Sequence, residues 1–176
     1  MSRSWQIAGL AGAGLLLAAL PAAHPAAFVE SFLYLVFLWV ALATSWTTRE
    51  RTRAWLLAAR GDLSAARRLV TEVADASAHD GMLGCEASAR HDMVRFGDAD
   101  DVVDRLTDLM AVIEGPWVQA LHAHAVAVAA DDAAMLADAL ERFEAIDSVT
   151  LAAEVAVELA ELHRRRGDPR AATAAE

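Results

Sequence analysis

Arg60-Gly61-Asp62, Phe96-Gly97-Asp98, Ala130-Asp131-Asp132 and Arg166-Gly167-Asp168 are four short breaks in a helix-favouring sequence, and their spacing decides how the chain is read. Between their middle residues the steps are 36, 34 and 36 residues. A Gly just past a helix end takes the left-handed conformation without steric cost. An Asp beside it caps the following helix by accepting from that helix's free amides. Gly61, Asp62, Gly97, Asp98, Gly167 and Asp168 therefore read as tight turns between antiparallel helices. Pro169 follows Asp168, at a first-turn position where proline loses no hydrogen bond. Asp80-Gly81 and Gly115-Pro116 fall midway between breaks and separate one helix pair from the next.

Between the breaks the apolar residues recur at helical spacing. Leu63, Ala66, Leu69, Val70 and Val73 share one stripe; Val102, Val103, Leu106, Leu109, Met110 and Ile113 share another; Met135, Leu136, Leu140 and Phe143 share a third. No alternating strand pattern competes. The expected helices run near 50–59, 62–78, 82–95, 98–113, 116–129, 132–146, 148–165 and from 168 onward. The fold class is all-α. Ala58, Ala65 and Ala66 let neighbouring helices approach closely. The period resembles the roughly 34 residues of tetratricopeptide repeats, and Trp55, Ala58, Gly61 and Ala65 match part of that consensus. Residues 49–176 thus resemble a tetratricopeptide-like array of antiparallel helix pairs, with a plain helical bundle as the competing reading.

Residues 1–48 differ: Arg3 and Glu30 are their only charged groups. Ser4 to Leu20 and Ser31 to Thr48 are uncharged runs, separated by a stretch holding Pro21, His24 and Pro25. Crossing a bilayer takes roughly 17–25 apolar residues, and unpaired amides are not tolerated in lipid, so such runs would be helical. Arg3 precedes the first run, Arg49, Arg51 and Arg53 follow the second, and Pro21–Glu30 holds no Arg. By the positive-inside bias both ends then face the cytoplasm. The expectation is an apolar helical hairpin preceding the repeats, membrane contact through residues 4–48, and an inner-membrane location with a cytoplasmic repeat domain. Two rivals stay open: a signal peptide over residues 1–26 followed by an anchor, and a second run buried as a soluble helix in a cytoplasmic chain.

The stretch Phe28-Val-Glu-Ser-Phe-Leu-Tyr-Leu-Val-Phe-Leu-Trp-Val-Ala-Leu-Ala-Thr-Ser-Trp46 resembles the beginning of the permease subunit of branched-chain amino acid transporters of the ATP-binding-cassette class. The likeness stops where Thr47-Thr-Arg-Glu replaces that family's continuation. From about Arg49 to the end, a second likeness begins. Ala87-Ser-Ala-Arg-His-Asp-Met-Val-Arg-Phe-Gly97, Gly115-Pro-Trp-Val-Gln-Ala-Leu-His-Ala-His-Ala125, Ala139-Leu-Glu-Arg-Phe-Glu-Ala145 and Ala160-Glu-Leu-His-Arg-Arg-Arg-Gly-Asp168 are similar to the helical-repeat region of large actinobacterial LuxR-type transcriptional regulators. That resemblance implies a sensor or linker scaffold that holds a protein partner or small effector in its groove. The family's ATP-binding module and helix-turn-helix module have no counterpart here, since the chain has no Lys to complete a phosphate-binding loop. Fragments of two families meeting near Trp46–Arg49 suggest a composite chain; a membrane transport component is the alternative.

All fifteen basic residues are Arg, and residues 54–176 set eleven of them against twenty-three acids, a net −12. So acidic a surface repels phosphate backbones, and no direct nucleic-acid binding is expected. Arg164, Arg165 and Arg166 read as a helix end, where cations complement the dipole. Tetratricopeptide clamps for a peptide C-terminus use Lys and Asn; this chain has neither, so groove contacts fall to Arg, with Arg90 and Arg95 as candidates. His122 and His124, two apart, face different sides of a helix and make a poor metal pair. His91-Asp92 reads as a hydrogen-bonded pair or a packed edge, and Glu154, Glu158 and Glu161 share a helix with His163 without di-iron spacing. No serine has a nucleophile-elbow context, and Cys85 is alone. The chain reads as non-enzymatic, with no catalytic residue, metal or cofactor.

Overall fold

The computed structural model describes residues 25–100 and 102–175. Among them are eight helices and no strand: α1 (Pro25–Ala59), α2 (Leu63–His79), α3 (Leu83–Arg95), α4 (Val103–Val112), α5 (Pro116–Ala130), α6 (Ala133–Ala145), α7 (Val149–Arg165) and α8 (Pro169–Ala175). The chain divides into two units, Met1–Trp46 and Thr47–Glu176.

The breaks do what their residues dictate. At Gly61, Gly97, Asp131 and Gly167 the turn closes with the same two bonds. One is the amide of that residue onto a carbonyl three back; the other is the next amide onto a carbonyl five back, as in Gly97 N to Val94 O at 2.9 Å and Asp98 N to Met93 O at 3.0 Å. This pattern satisfies helix-end carbonyls and requires a left-handed residue. Gly97 supplies it with φ 88°, while Asp131 and Asp147 adopt φ 48° and 55° in the same role; Asp is among the few non-Gly residues that tolerate it. Asp62 accepts from Ala65 N, and Asp132 from Ala134 N and Met135 N. Asp168 accepts from Ala171 N at 3.0 Å.

Asp98 departs from the expected cap. Its carboxylate lies 3.4 Å from Arg67 Nε, and the same guanidinium donates through Nε and Nη2 to Phe96 O at 2.7 and 2.5 Å, covering the end of α3. The next helix therefore starts at Val103, not at 98, after Ala99 and Val102 have tucked into the core at 7% and 0% exposure.

In the second unit the apolar stripes form one continuous core. Val70, Val73, Leu106, Leu109, Leu121, Phe143, Val155 and Leu162 are all but fully buried, each such side chain contributing roughly 1.5–3 kcal/mol of transfer free energy. Successive helices from α2 to α8 pack on one another, and α3 also packs on α5. Leu63 and Met135, in the first turns of α2 and α6, stay exposed, so the stripes reach the core only from the second turn onward.

The first run, Ser4 to Leu20, lies outside the described residues. The stretch expected as a loop, Pro21–Glu30, is helical from Pro25. The inner-membrane location is corrected: among the described residues no helix is long and apolar enough to cross a membrane. Two of the three arginines expected at the inner face are engaged within the protein instead. Arg51 Nε is 2.5 Å from Asp92 Oδ2, and Arg53 Nη1 is 3.5 Å from Glu50 Oε2. The helix that holds the second run continues through these charges to Ala59.

Candidate functional site

α3 carries charged residues on several of its faces, yet Glu86, His91 and Asp92 are buried at 0%, 2% and 0% exposure. A buried charge is tolerated only when paired and hydrogen-bonded. The partners of Asp92 and His91 come from every second helix. Arg51 of α1 and Arg95, one turn along α3, share Asp92: Nε to Oδ2 at 2.5 Å and Nη1 to Oδ1 at 2.9 Å. Arg95 then donates through Nε and Nη2 to both carboxylate oxygens of Glu154 on α7, at 2.7 and 2.5 Å. Its guanidinium lies 4.0 Å from the centre of the Trp55 ring, and that ring packs at 4.6 Å on Phe96. Such bidentate, stacked geometry suits arginine and no other cation.

Beside this chain of charges runs a relay of imidazoles. His91 Nε2 is 2.8 Å from His124 Nδ1 on α5, and His124 Nε2 is 2.8 Å from Glu158 Oε2 on α7. Phe143 of α6, fully buried, lies against both rings. A carboxylate only accepts, so His124 donates from Nε2 to Glu158. Burial, then the facing charges of His124, Arg95 and Arg51, hold His91 well below the ordinary histidine value of 6.5, so it stays neutral. Two guanidiniums, Arg51 and Arg95, thus face three carboxylates, Asp92, Glu154 and Glu158.

The sequence separations are informative: His91 to His124 is 33 residues and His124 to Glu158 is 34. One polar residue per break-to-break interval builds the relay, at 30, 27 and 27 residues past the preceding break. The long spacing is visible in the sequence, whereas the pairs His91 with Asp92 and His122 with His124 are local. His91 bonds across helices instead of to Asp92. His122 and His124 do face different sides of α5, as their spacing implies: His124 is buried in the relay while His122 bonds Thr107 at 2.9 Å.

Arg90 and Arg95, expected to line a groove, are both engaged in ion pairs. Arg90 holds Asp75 at 2.8 Å and lies 3.6 Å from Glu86; Arg95 holds Asp92 and Glu154. Gly61, Asp62, Gly97, Asp98, Gly167 and Asp168 sit at turns away from the relay. Arg165 and Arg166 close the end of α7 onto Asp131, Arg165 at 2.9 Å through the side chain and Arg166 through the backbone carbonyl. Among the described residues no group of three His, Cys, Asp or Glu is placed to hold a metal ion. Arg51, Trp55, His124, Glu154 and Glu158 complete the site. No family model, no curated protein and no solved structure matches this chain.

Proposed function

We propose that Thr47–Glu176 is a non-enzymatic, tetratricopeptide-like scaffold resembling the sensor or linker region of LuxR-type regulators, and that it holds a protein partner along the layer formed by α1, α3, α5 and α7. The observation that carries this reading is the relay from His91 to His124 to Glu158, whose steps of 33 and 34 residues are close to the roughly 34-residue tetratricopeptide period. Steps of that size are what alternate helices side by side in an array of helix pairs would give. Arg95 and Glu154, bridging α3 and α7 across a separation of 59 residues, belong to the same layer. Glu154 and Glu158 keep 36% and 38% side-chain exposure, leaving carboxylate edges available to a partner.

The test is a random-peptide display selection against the full chain. Selected peptides should lose at least tenfold in affinity when Glu154 and Glu158 become Gln, and lose nothing with Arg142→Gln on α6. Peptides indifferent to both glutamates, or no enrichment at all, would overturn the reading. A composite origin is favoured by a separate observation: the unit boundary at Trp46–Thr47 falls where the permease-like stretch ends. One long sequencing read across the codons for residues 30–60 tests it, and an uninterrupted native frame counts against it.

A further inference from the structure

Residues two apart on a helix point to nearly opposite sides, and the side of α5 away from His124 faces a different feature. Met110 of α4, Gln119, His122 and Ala123 of α5 and Arg142 of α6 line a recess of about 360 Å³. That volume is at the small end of the roughly 300–1,000 Å³ typical of ligand sites. Neither the relay nor the layer proposed to hold a partner uses any of these five residues.

The polar groups are poised in a specific way. Thr107 Oγ1 donates to Val103 O at 3.0 Å, so in its 2.9 Å contact with His122 Nε2 the hydroxyl oxygen accepts. Nε2 therefore carries the proton, and Nδ1 is an acceptor with no partner among the described residues. Burial, and then the charge of Arg142, lower the affinity of His122 for a second proton, so the ring is neutral at pH 7. Arg142 pairs with Asp138, one turn back, through Nε at 2.7 Å and more loosely through Nη2 at 3.4 Å. Its Nη1 has no partner among the described residues. The pair is about half exposed, and exposed pairs at this spacing are weak, so the guanidinium can accept a second carboxylate. Met110 and Ala123 supply an apolar wall.

We propose that this recess binds a small carboxylate with a hydrogen-bond donor beside the acid group, the acid on Arg142, the donor on His122 Nδ1 and the carbon body on Met110 and Ala123. The net −12 of residues 54–176 repels anions from the rest of the surface, so an anion held here depends on this local geometry.

The probe is 2-hydroxy-3-methylbutanoate, titrated into the full chain carrying ¹³C-methyl methionine. The Met110 methyl signal should shift saturably while that of Met82 stays put. Arg142→Gln should weaken binding at least tenfold, with unchanged Met82 and Met93 signals reporting an intact fold. 3-Methylbutanoate, which lacks the hydroxyl, should bind at least threefold more weakly. Asp138→Asn removes the competing acid and should tighten binding about twofold, matching the small worth of such a pair. No saturable Met110 shift, a shift that survives Arg142→Gln, equal binding of the acid without the hydroxyl, or no gain from Asp138→Asn would each overturn the proposal.

Discussion

α3 buries two carboxylates on two of its sides, and they are held in different ways. Glu86 is enclosed by sequence neighbours: Arg105 binds it with both donors at 2.7 and 2.8 Å, and Arg90, held by Asp75, stands 3.6 Å away, with no separation above 19 residues. Asp92 is held by Arg51, 41 positions away, and by Arg95, three away, while its neighbours His91 and Arg95 reach His124 and Glu154 across 33 and 59 positions. The first cluster pins α3 to its two chain neighbours, α2 and α4. The second ties α3 to helices that are not its chain neighbours. Two acids on one helix thus serve contacts between chain neighbours and contacts between distant helices separately.

Breaking the two clusters should cost unequal amounts. Replacing Arg51 and Arg95 together with Met strands Asp92 without a counter-charge. Removing the partners of a buried ion costs about 3–5 kcal/mol. Arg105→Met leaves Glu86 with Arg90 nearby, and a buried acceptor losing one of its partners costs about 1–3 kcal/mol. Urea midpoints of the two variants at pH 7 measure the difference. A larger loss from Arg105→Met would mean that contacts between chain neighbours hold the helices more than the long-range ones do.

The pH response sharpens the same comparison, because only the second cluster contains histidine. His91 is neutral when folded and held well below 6.5, whereas in the unfolded chain it titrates near the ordinary value. Below pH 6.5 the unfolded state therefore binds a proton that the folded state refuses. Stability is complete above that pH and falls as pH drops, by at most about 1.4 kcal/mol per unit for one site. His122, lowered more modestly, adds a smaller slope of the same sign. His91→Leu should remove most of the slope measured from urea unfolding between pH 7 and 5, and Arg105→Met should leave it intact. A slope unchanged in His91→Leu would place the proton elsewhere.

Helices, their order and most of their ends were legible because each rests on local chemistry: the Gly-Asp breaks, Pro116 and Pro169 at first turns, and the stripes around Leu106 and Phe143. The start of α4 was not, because Asp98 is drawn to Arg67, a tertiary partner that no cap rule contains. The site was less legible still. α3 looks polar in isolation, and nothing local says that Glu86 and Asp92 are buried. Arg95 reads from the sequence as a candidate groove cation, yet it is engaged by Glu154, 59 residues away. The sequence signal for the relay is the spacing of 33 and 34 residues between His91, His124 and Glu158, which no local pair shows.

Two of the glycine breaks allow a finer version of the comparison. Gly61 and Gly97 are both left-handed, at φ 85° and 88°, but a Cβ on Gly61 meets nothing within 4 Å, while one on Gly97 would lie 2.7 Å from Arg67 Nη2. Gly61→Ala should cost about 1 kcal/mol from backbone strain alone. Gly97→Ala should cost about twice that, because Arg67 must also leave Phe96 O, where it caps the helix carrying both clusters. Equal losses in urea would show that Arg67 moves aside freely.

The smallest expected effect separates capping from ion pairing at two equivalent breaks. Asp132 accepts from Ala134 N at 2.8 Å and from Met135 N at 3.0 Å, so it satisfies two amides that α6 cannot pair itself. Asp98 occupies the matching position one interval earlier and touches Arg67 at 3.4 Å, with α4 starting five residues later. Loss of an N-cap acid costs about 1 kcal/mol, and loss of a partly exposed ion pair costs a few tenths. Asp132→Ala should therefore lower the urea midpoint visibly and Asp98→Ala barely. Salt discriminates further: 1 M NaCl screens exposed pairs, so the small Asp98→Ala effect should vanish there while that of Asp132→Ala persists. If both variants lose equally at low salt and recover equally at high salt, Asp132 acts through its charge and not as a cap. The two breaks would then be equivalent after all.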